Sequence, residues 1–196
     1  MKKIETAIEK ATKDYPKSLY EYYPGYKENG IPERNLTFQF VRAYLAGNKG
    51  AHAFFEVPFE NGNKKVAHYD AIIIDNSTLI IIEAKRLHSK GKAKAIEEDV
   101  AKIVKKKFIK EIKDNFNINP PKKIYGLILA DAWKSKIDKG LGNWWKGSGD
   151  MKKFKEWKVC ENMNSWECNL SDPIVCWDEE KDKNTFYILY GYASLA

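Results

Sequence analysis

No run in this 196-residue chain approaches the roughly 20 apolar residues that a membrane-spanning helix needs, and neither an apolar signal core nor an arginine-rich transit pattern follows Met1. These absences lead to the expectation of a soluble protein without a membrane partner, cytoplasmic or nucleoid-associated. Cysteine is scarce. Cys160, Cys168 and Cys176 form an odd set with no Cys-x-x-Cys pair and no nearby histidine, which argues for reduced thiols and against a zinc site. Arginine is as scarce, limited to Arg34, Arg42 and Arg86, so the net charge of +7 rests almost wholly on lysine. A phosphate loop of the G-x-x-x-x-G-K-[ST] kind is missing, which argues against P-loop nucleotide hydrolysis. Repeats, low-complexity tracts and convincing linkers are also missing, and the length suits one domain over residues 1–196.

The basic balance favours a polyanionic partner, because lysines that neutralise phosphates gain from counterion release. Periodicity supplies the elements. "KKIETAIEKATKDY" sets Ile4, Ile8 and Ala11 at helical spacing, and the tyrosine-rich "LYEYYPGYKENGIP" reads as a loop with Pro24-Gly25 and Asn29-Gly30 as turn signals. "ERNLTFQFVRAYLAG" follows Pro32 as a helix with Leu36, Phe40, Ala43 and Gly47 on one face. Three strand-like runs come next, "AHAFFEVPF", "KVAHYDAIIID" and "TLIIIEAKR", with connections short enough for an antiparallel meander. "KAIEEDVAKIVKKKFIKEIKDNF" reads as one helix with Ile96, Val100, Ile103 or Val104, and Phe108 as its buried stripe. "KKIYGLILADAW" is then a fourth strand, reached through a helix and so parallel to the third. Beyond Asp131, "KGLGNWWKGSGD" reads as a loop, "MKKFKEWKV" as a short helix and "TFYILYGYASL" as a last strand. The expectation is an α/β fold whose mixed sheet, an antiparallel meander plus a parallel fourth strand, is flanked by helices.

Within that frame "YDAIIIDNSTLIIIEAKR" carries the chemistry. If Asn76 and Ser77 are the two loop residues, Asp75 pairs with Thr78 and Asp70 falls opposite Glu83, with Cβ atoms roughly 4.5 to 5.5 Å apart on one face. A slip of one residue would put them on opposite faces. Lys85 shares the face of Glu83, and His68 falls opposite Lys85. Paired carboxylates at a sheltered spot are hard-oxygen ligands for Mg²⁺ or Mn²⁺. The chemistry that fits is phosphodiester hydrolysis, in which the metal neutralises phosphate and acidifies a bound water. Lys85 would orient that water, help deprotonate it, or stabilise the transition state, and the backbone carbonyl of Ala84 is a further ligand candidate.

An aspartate, about a dozen residues, then Glu-x-Lys on two adjacent strands resembles the motif of the PD-(D/E)XK nuclease superfamily, with Tyr69 where the proline would stand. The resemblance implies a restriction-endonuclease-like core over about residues 33–132, with 133–196 as a C-terminal elaboration. It also implies Asp70, Glu83 and Lys85 as catalytic residues, Asp70, Glu83 and Ala84 around Mg²⁺, and DNA as substrate. "PERNLTFQFVRAYLAG" is similar to the opening of the archaeal Holliday-junction resolvases, which places Glu33 near the metal, with Glu56 on the first strand as its competitor. A homodimer follows by analogy with sequence-specific enzymes that use two sites about a dyad.

The lysine-rich face of the helix after the motif, with Lys102, Lys106 and Lys110, joins Arg86 as the nucleic-acid-binding candidate; its plainer role is a solvated surface. The tryptophans of the last third read as core, with base stacking as the alternative. The sequence thus points to a metal-dependent DNA endonuclease of restriction-like or repair and junction type. Its rivals are an exonuclease and a nucleic-acid-binding protein of the same fold without chemistry.

Overall fold

Two residues, Asn76 and Ser77, set the register of the sheet in the computed structural model, which describes residues 2–22, 32–61, 65–116, 123–133, 145, 166–170, 174–175 and 185–195. The elements run α1 (Lys2–Tyr22), α2 (Glu33–Gly47), β1 (His52–Asn61), β2 (Lys65–Ile74), β3 (Thr78–Arg86), α3 (Lys90–Ile103), α4 (Lys106–Asn115), β4 (Lys123–Trp133), β5 (Glu167–Leu170), β6 (Ile174–Val175) and β7 (Thr185–Ser194). At the turn, Asp75 N donates to Thr78 O at 2.9 Å and Ser77 N donates to Asp75 Oδ1 at 2.8 Å. The ladder then runs from Ile74 opposite Leu79 to Ala71 opposite Ile82, the register expected from a two-residue loop.

β1, β2 and β3 form the antiparallel meander, and β3 pairs with β4 in parallel along its whole length. The strand order is β1-β2-β3-β4-β7-β5, with β6 also on β7. The fold is therefore α/β with a mixed sheet flanked by helices. Thr78 to Ala84 are all buried, as expected of a strand covered on both faces. On one face Leu79 and Ile81 pack with Ile96, Val100 and Ile103 of α3. On the other, Ile80 and Ile82 pack with Leu36, Phe40 and Tyr44 of α2, behind which lie Ile4, Ile8 and Ala11 of α1. Each such isoleucine or leucine contributes about 1.5 to 3 kcal/mol of transfer free energy. Gly126 of β4 makes a close approach: a Cβ there would lie 2.7 Å from the Ile103 side chain and 2.9 Å from that of Trp166, so a larger residue would force one of them to shift.

Several expectations need correction. α1 continues past Pro16 to Tyr22, so the start of the tyrosine-rich stretch is helical rather than loop. Gly47 closes α2 at an exposed position and does not extend its buried face. The long helix after β3 is two helices, broken at Val104–Lys105. In one continuous helix at about 3.6 residues per turn, Phe108, Ile109 and Ile112 would point roughly opposite to Ile96, Val100 and Ile103. The extended backbone of Lys105 (φ −68°, ψ 118°) resets the phase so that both sets reach one core. β5 and β6 had no clear sequence signal. The expected loop at 139–150, apart from buried Trp145, and the expected helix at 151–159 lie outside the described residues. Trp145 and Trp166 are core residues, and the Trp145 indole donates to Tyr190 O at 2.9 Å. No described helix is long and apolar enough to cross a membrane.

The helical layer is tied to the turn by Asp75, whose Oδ2 accepts from Lys3 Nζ and from the Tyr44 hydroxyl, each at 2.9 Å. Burial opposes ionisation, but Lys3, the Ser77 amide and Tyr44 outweigh it and lower the carboxyl from 3.8 to about 2. A depressed folded-state value contributes stability that is complete above the unfolded value and lost as pH falls through the folded one. Asp75→Asn should therefore cost about 1 to 2 kcal/mol at neutral pH, with the deficit closing as pH falls from 4 towards 2. Thermal melts of both proteins across that range test this, and a deficit that persists below pH 2 would remove the charge from the explanation.

Candidate active site

The sheet stops pairing at Asp70. β1 pairs Phe55 with Ala71 and Val57 with Tyr69 but omits Glu56 and Asp70 between them, and Glu56 has a left-handed backbone with φ 52°. On the other side the β2–β3 ladder ends at Ala71–Ile82, one step short of Asp70 and Glu83. Strict alternation fails here too, since Tyr69 and Ile72 share one core while Ala71 and Ile73 share the other. The carboxylate of Asp70 takes over the acceptor role of a strand carbonyl, with Ala84 N donating to Oδ2 at 2.6 Å. A distortion of this kind re-aims a side chain at the point where pairing ends.

Glu83 is only 2 % exposed, on the β3 face that meets α3. Asp99 and Lys102 come down onto it from successive turns of α3. Lys102 Nζ lies against Glu83 Oε1 and 3.1 Å from Asp99 Oδ1. Lys85 Nζ lies 3.0 Å from Asp99 Oδ2 and 4.0 Å from Glu83 Oε2, and it donates to Ala84 O at 3.2 Å. The ammonium of Lys102 also sits over the rings of Tyr69 and Phe59, at 5.2 and 5.4 Å from their centroids.

Asp70, Glu83 and Asp99 thus face two cations, Lys85 and Lys102, an excess of one negative charge when all are ionised. Burial first, then Asp99, push Glu83 well above the ordinary carboxylate range, with Lys102 opposing them. Burial likewise raises Asp70 against the pull of the Ala84 amide and Lys85. For Lys85, burial favours the neutral amine, but Asp99, Asp70 and Glu83 together outweigh it and hold the ammonium above its usual value.

A second polar group lies at the same end of β3. Glu33, at the first turn of α2, accepts from Lys92 Nζ at 2.9 Å and from the Arg86 amide at 3.1 Å through Oε1. Burial opposes its ionisation, yet Lys92, the Arg86 amide and Lys85 lower its value. Asp131 pairs with Arg86 across β3–β4, is 1 % exposed, and has Arg86 Nε 4.0 Å from Oδ2. Burial raises it to about 7.

The structure therefore brings Asp70, Glu83 and Lys85 together and sets Glu33 beside them, held by Lys92 rather than by the acidic pair. Glu56 is exposed and paired with Arg34 at 3.4 Å, and His68 is exposed opposite Pro58. Lys106 and Lys110 are exposed on α4, whereas Lys102 and Arg86 turn inward to carboxylates. Asp99 and Asp131 were not foreseen. The available signals were an acid next to Val100 in the apolar stripe of α3 and an acid closing the apolar run of β4. Among the described residues no three His, Cys, Asp or Glu side chains are grouped so that they could hold a metal ion, and Lys102 lies against both Glu83 and Asp99. The chain matches no protein-family model, no curated protein and no solved structure.

Replacing Lys102 by methionine keeps the packing against Tyr69 and Phe59 and removes the charge. The variant should lose about 2 to 4 kcal/mol, since breaking a buried pair leaves an uncompensated carboxylate. Added Mg²⁺ or Mn²⁺ should raise its melting temperature more than that of the parent chain. Equal shifts in the two proteins would show that no cation takes the place of Lys102.

Proposed function

We propose that this protein is a metal-dependent deoxyribonuclease related to the PD-(D/E)XK enzymes, hydrolysing phosphodiester bonds within DNA. The observation that carries the reading is the gathering of Asp70, Glu83 and Lys85 at the break in the meander, with Glu83 buried and carboxylates outnumbering ammonium groups around it. The order of helix, antiparallel meander, helical crossover and parallel strand supports it, as does the surplus of lysine.

The donor set suits Mg²⁺ or Mn²⁺: it offers carboxylate oxygens only, and such ions take one or two carboxylates and complete their shell with water and phosphate. Asp70 and Glu83 are the residues that would hold the ion, with the Ala84 carbonyl, which accepts from Lys85, as a further candidate ligand. Bound there, the cation would neutralise phosphate and lower the pKa of a water. The rest falls to the chain. Lys85 is held protonated by Asp99, which favours orienting the attacking water and balancing charge in the transition state over accepting a proton. Asp99 acts as the positioning residue for that ammonium. Glu33, ionised and holding the Arg86 amide, fixes the end of β3 that carries the Glu-x-Lys pair.

The contact of Lys102 with Glu83 favours one second reading, a nucleic-acid-binding protein that keeps the fold and fills the metal position with its own ammonium.

Supercoiled plasmid, linear duplex and single-stranded DNA incubated with Mg²⁺, Mn²⁺ or EDTA separate the two. Nicking that requires metal and falls at least about a hundredfold in Asp70→Ala and Lys85→Ala is the expected result, in line with the contribution of a positioned catalytic group. Binding without cleavage under every metal condition would establish the second reading, and cleavage confined to linear DNA would make the enzyme an exonuclease.

A further inference from the structure

The missing rung at Asp70 opens a cavity on the other side of the meander. β1 is the last strand of the sheet, and its two adjacent phenylalanines point to opposite faces. Phe54 packs on Phe116 at 5.3 Å between ring centroids, which leaves Phe55 on the side of α2. There it faces a cavity of about 340 Å³ whose other walls include Phe38 and Asn35 of α2, the Arg34–Glu56 ion pair and Asp70 itself. Phe38 and Phe55 are 51 % and 47 % exposed, two of three large apolar side chains so exposed among the described residues.

We propose that this cavity receives one unpaired nucleobase of the DNA substrate, stacked on Phe38 and Phe55, while the adjoining phosphate lies at Asp70. The inference rests on the nuclease reading and narrows its substrate to DNA that presents an unstacked base: a single strand, a frayed end, a gap or a branch. Aromatic rings stack on the π-face of any base and tolerate sequence variation. Asn35 supplies both a donor and an acceptor for a base edge, and Arg34 is an exposed cation on the rim for a backbone phosphate. A base within a duplex has both faces covered and its edge paired, so it cannot enter. Asp70 forms a wall of the cavity and also holds the Ala84 amide beside Glu83, so a base seated here brings its own phosphate to the carboxylates. The left-handed backbone at Glu56 is the local distortion that keeps β1 from closing over Asp70.

Fluorescein-labelled DNA of one sequence, single-stranded or as a blunt duplex, provides the test, with anisotropy read in EDTA so that nothing is cut. Single strands should bind the parent chain at least fivefold more tightly than duplex, and Phe38→Ala and Phe55→Ala should each weaken single-strand binding by about five- to tenfold without changing duplex binding. Phe55→Trp should retain it. Both positions are surface residues, and circular dichroism confirms the fold of each variant. Equal binding by parent and variants overturns the inference, as does a preference for duplex. So does sedimentation showing that the parent is a dimer that the alanine variants dissociate, because the rings would then cover a second copy of the chain. Metal-dependent nicking that survives in both alanine variants, on single and double strands alike, removes the base pocket but leaves the nuclease reading standing. Failure to bind or cut DNA in any form, in EDTA and with Mg²⁺ or Mn²⁺ restored, removes both.

Discussion

Glu83 lies in a strand buried on both faces, where an ionised carboxylate without a partner costs several kcal/mol even after relaxation. The surrounding structure answers that cost. α3 crosses β3 at the height of Glu83, and its Asp99–Lys102 step brings one ammonium to the carboxylate and one acid to Lys85. Gly126, under Ile103, allows α3 to approach that closely. At 4.0 Å and an effective dielectric constant near 20, the Lys85–Glu83 attraction is about 4 kcal/mol before desolvation. Neither lysine can leave without another positive charge arriving or a proton being taken up.

The same end of β3 is fixed from its opposite face. Glu33 holds the Arg86 amide from the first turn of α2, and Asp131 faces Arg86 from the parallel neighbour β4. Parallel pairing matters here, because it puts the C-terminal ends of β3 and β4 side by side and leaves their last polar residues at one edge of the core. α2 is held in turn through Tyr44 on Asp75, at the far end of the hairpin. Both ends of the β2–β3 hairpin are therefore anchored to helices by carboxylates, one at the turn and one where the ladder stops.

Much of this was legible in the sequence because it is local. A two-residue turn fixes the register of its hairpin, so the pairing from Ile74–Leu79 to Ala71–Ile82 could be counted from Asn76 and Ser77, though the ladder stops one step short of Asp70 and Glu83, and β3 begins and ends at the residues where its pattern does. Non-local facts were hidden. Lys105–Lys107 contains neither glycine nor proline, and the break before it is imposed by a core that needs Phe108 in phase with Ile103. Lys102 looked like one lysine among several on a basic face; only its placement over Tyr69 and Phe59 turns it inward. Asp99 and Asp131 gain their meaning from Lys85 and Arg86, which lie on another element in each case.

The sign of the local charge bears on the choice between cutting and merely binding DNA. Were Asp70, Glu83 and Asp99 all ionised against Lys85 and Lys102, the site would carry one net negative charge, and burial, by raising Glu83, favours uptake of a proton that removes it. A protein that only held nucleic acid would gain nothing from burying Glu83 between two half-buried acids, since replacing a buried ionic cluster by apolar residues is often neutral or stabilising. The excess of acid at the break in the sheet is thus a cost to the fold, offset in part by Lys85 and Lys102.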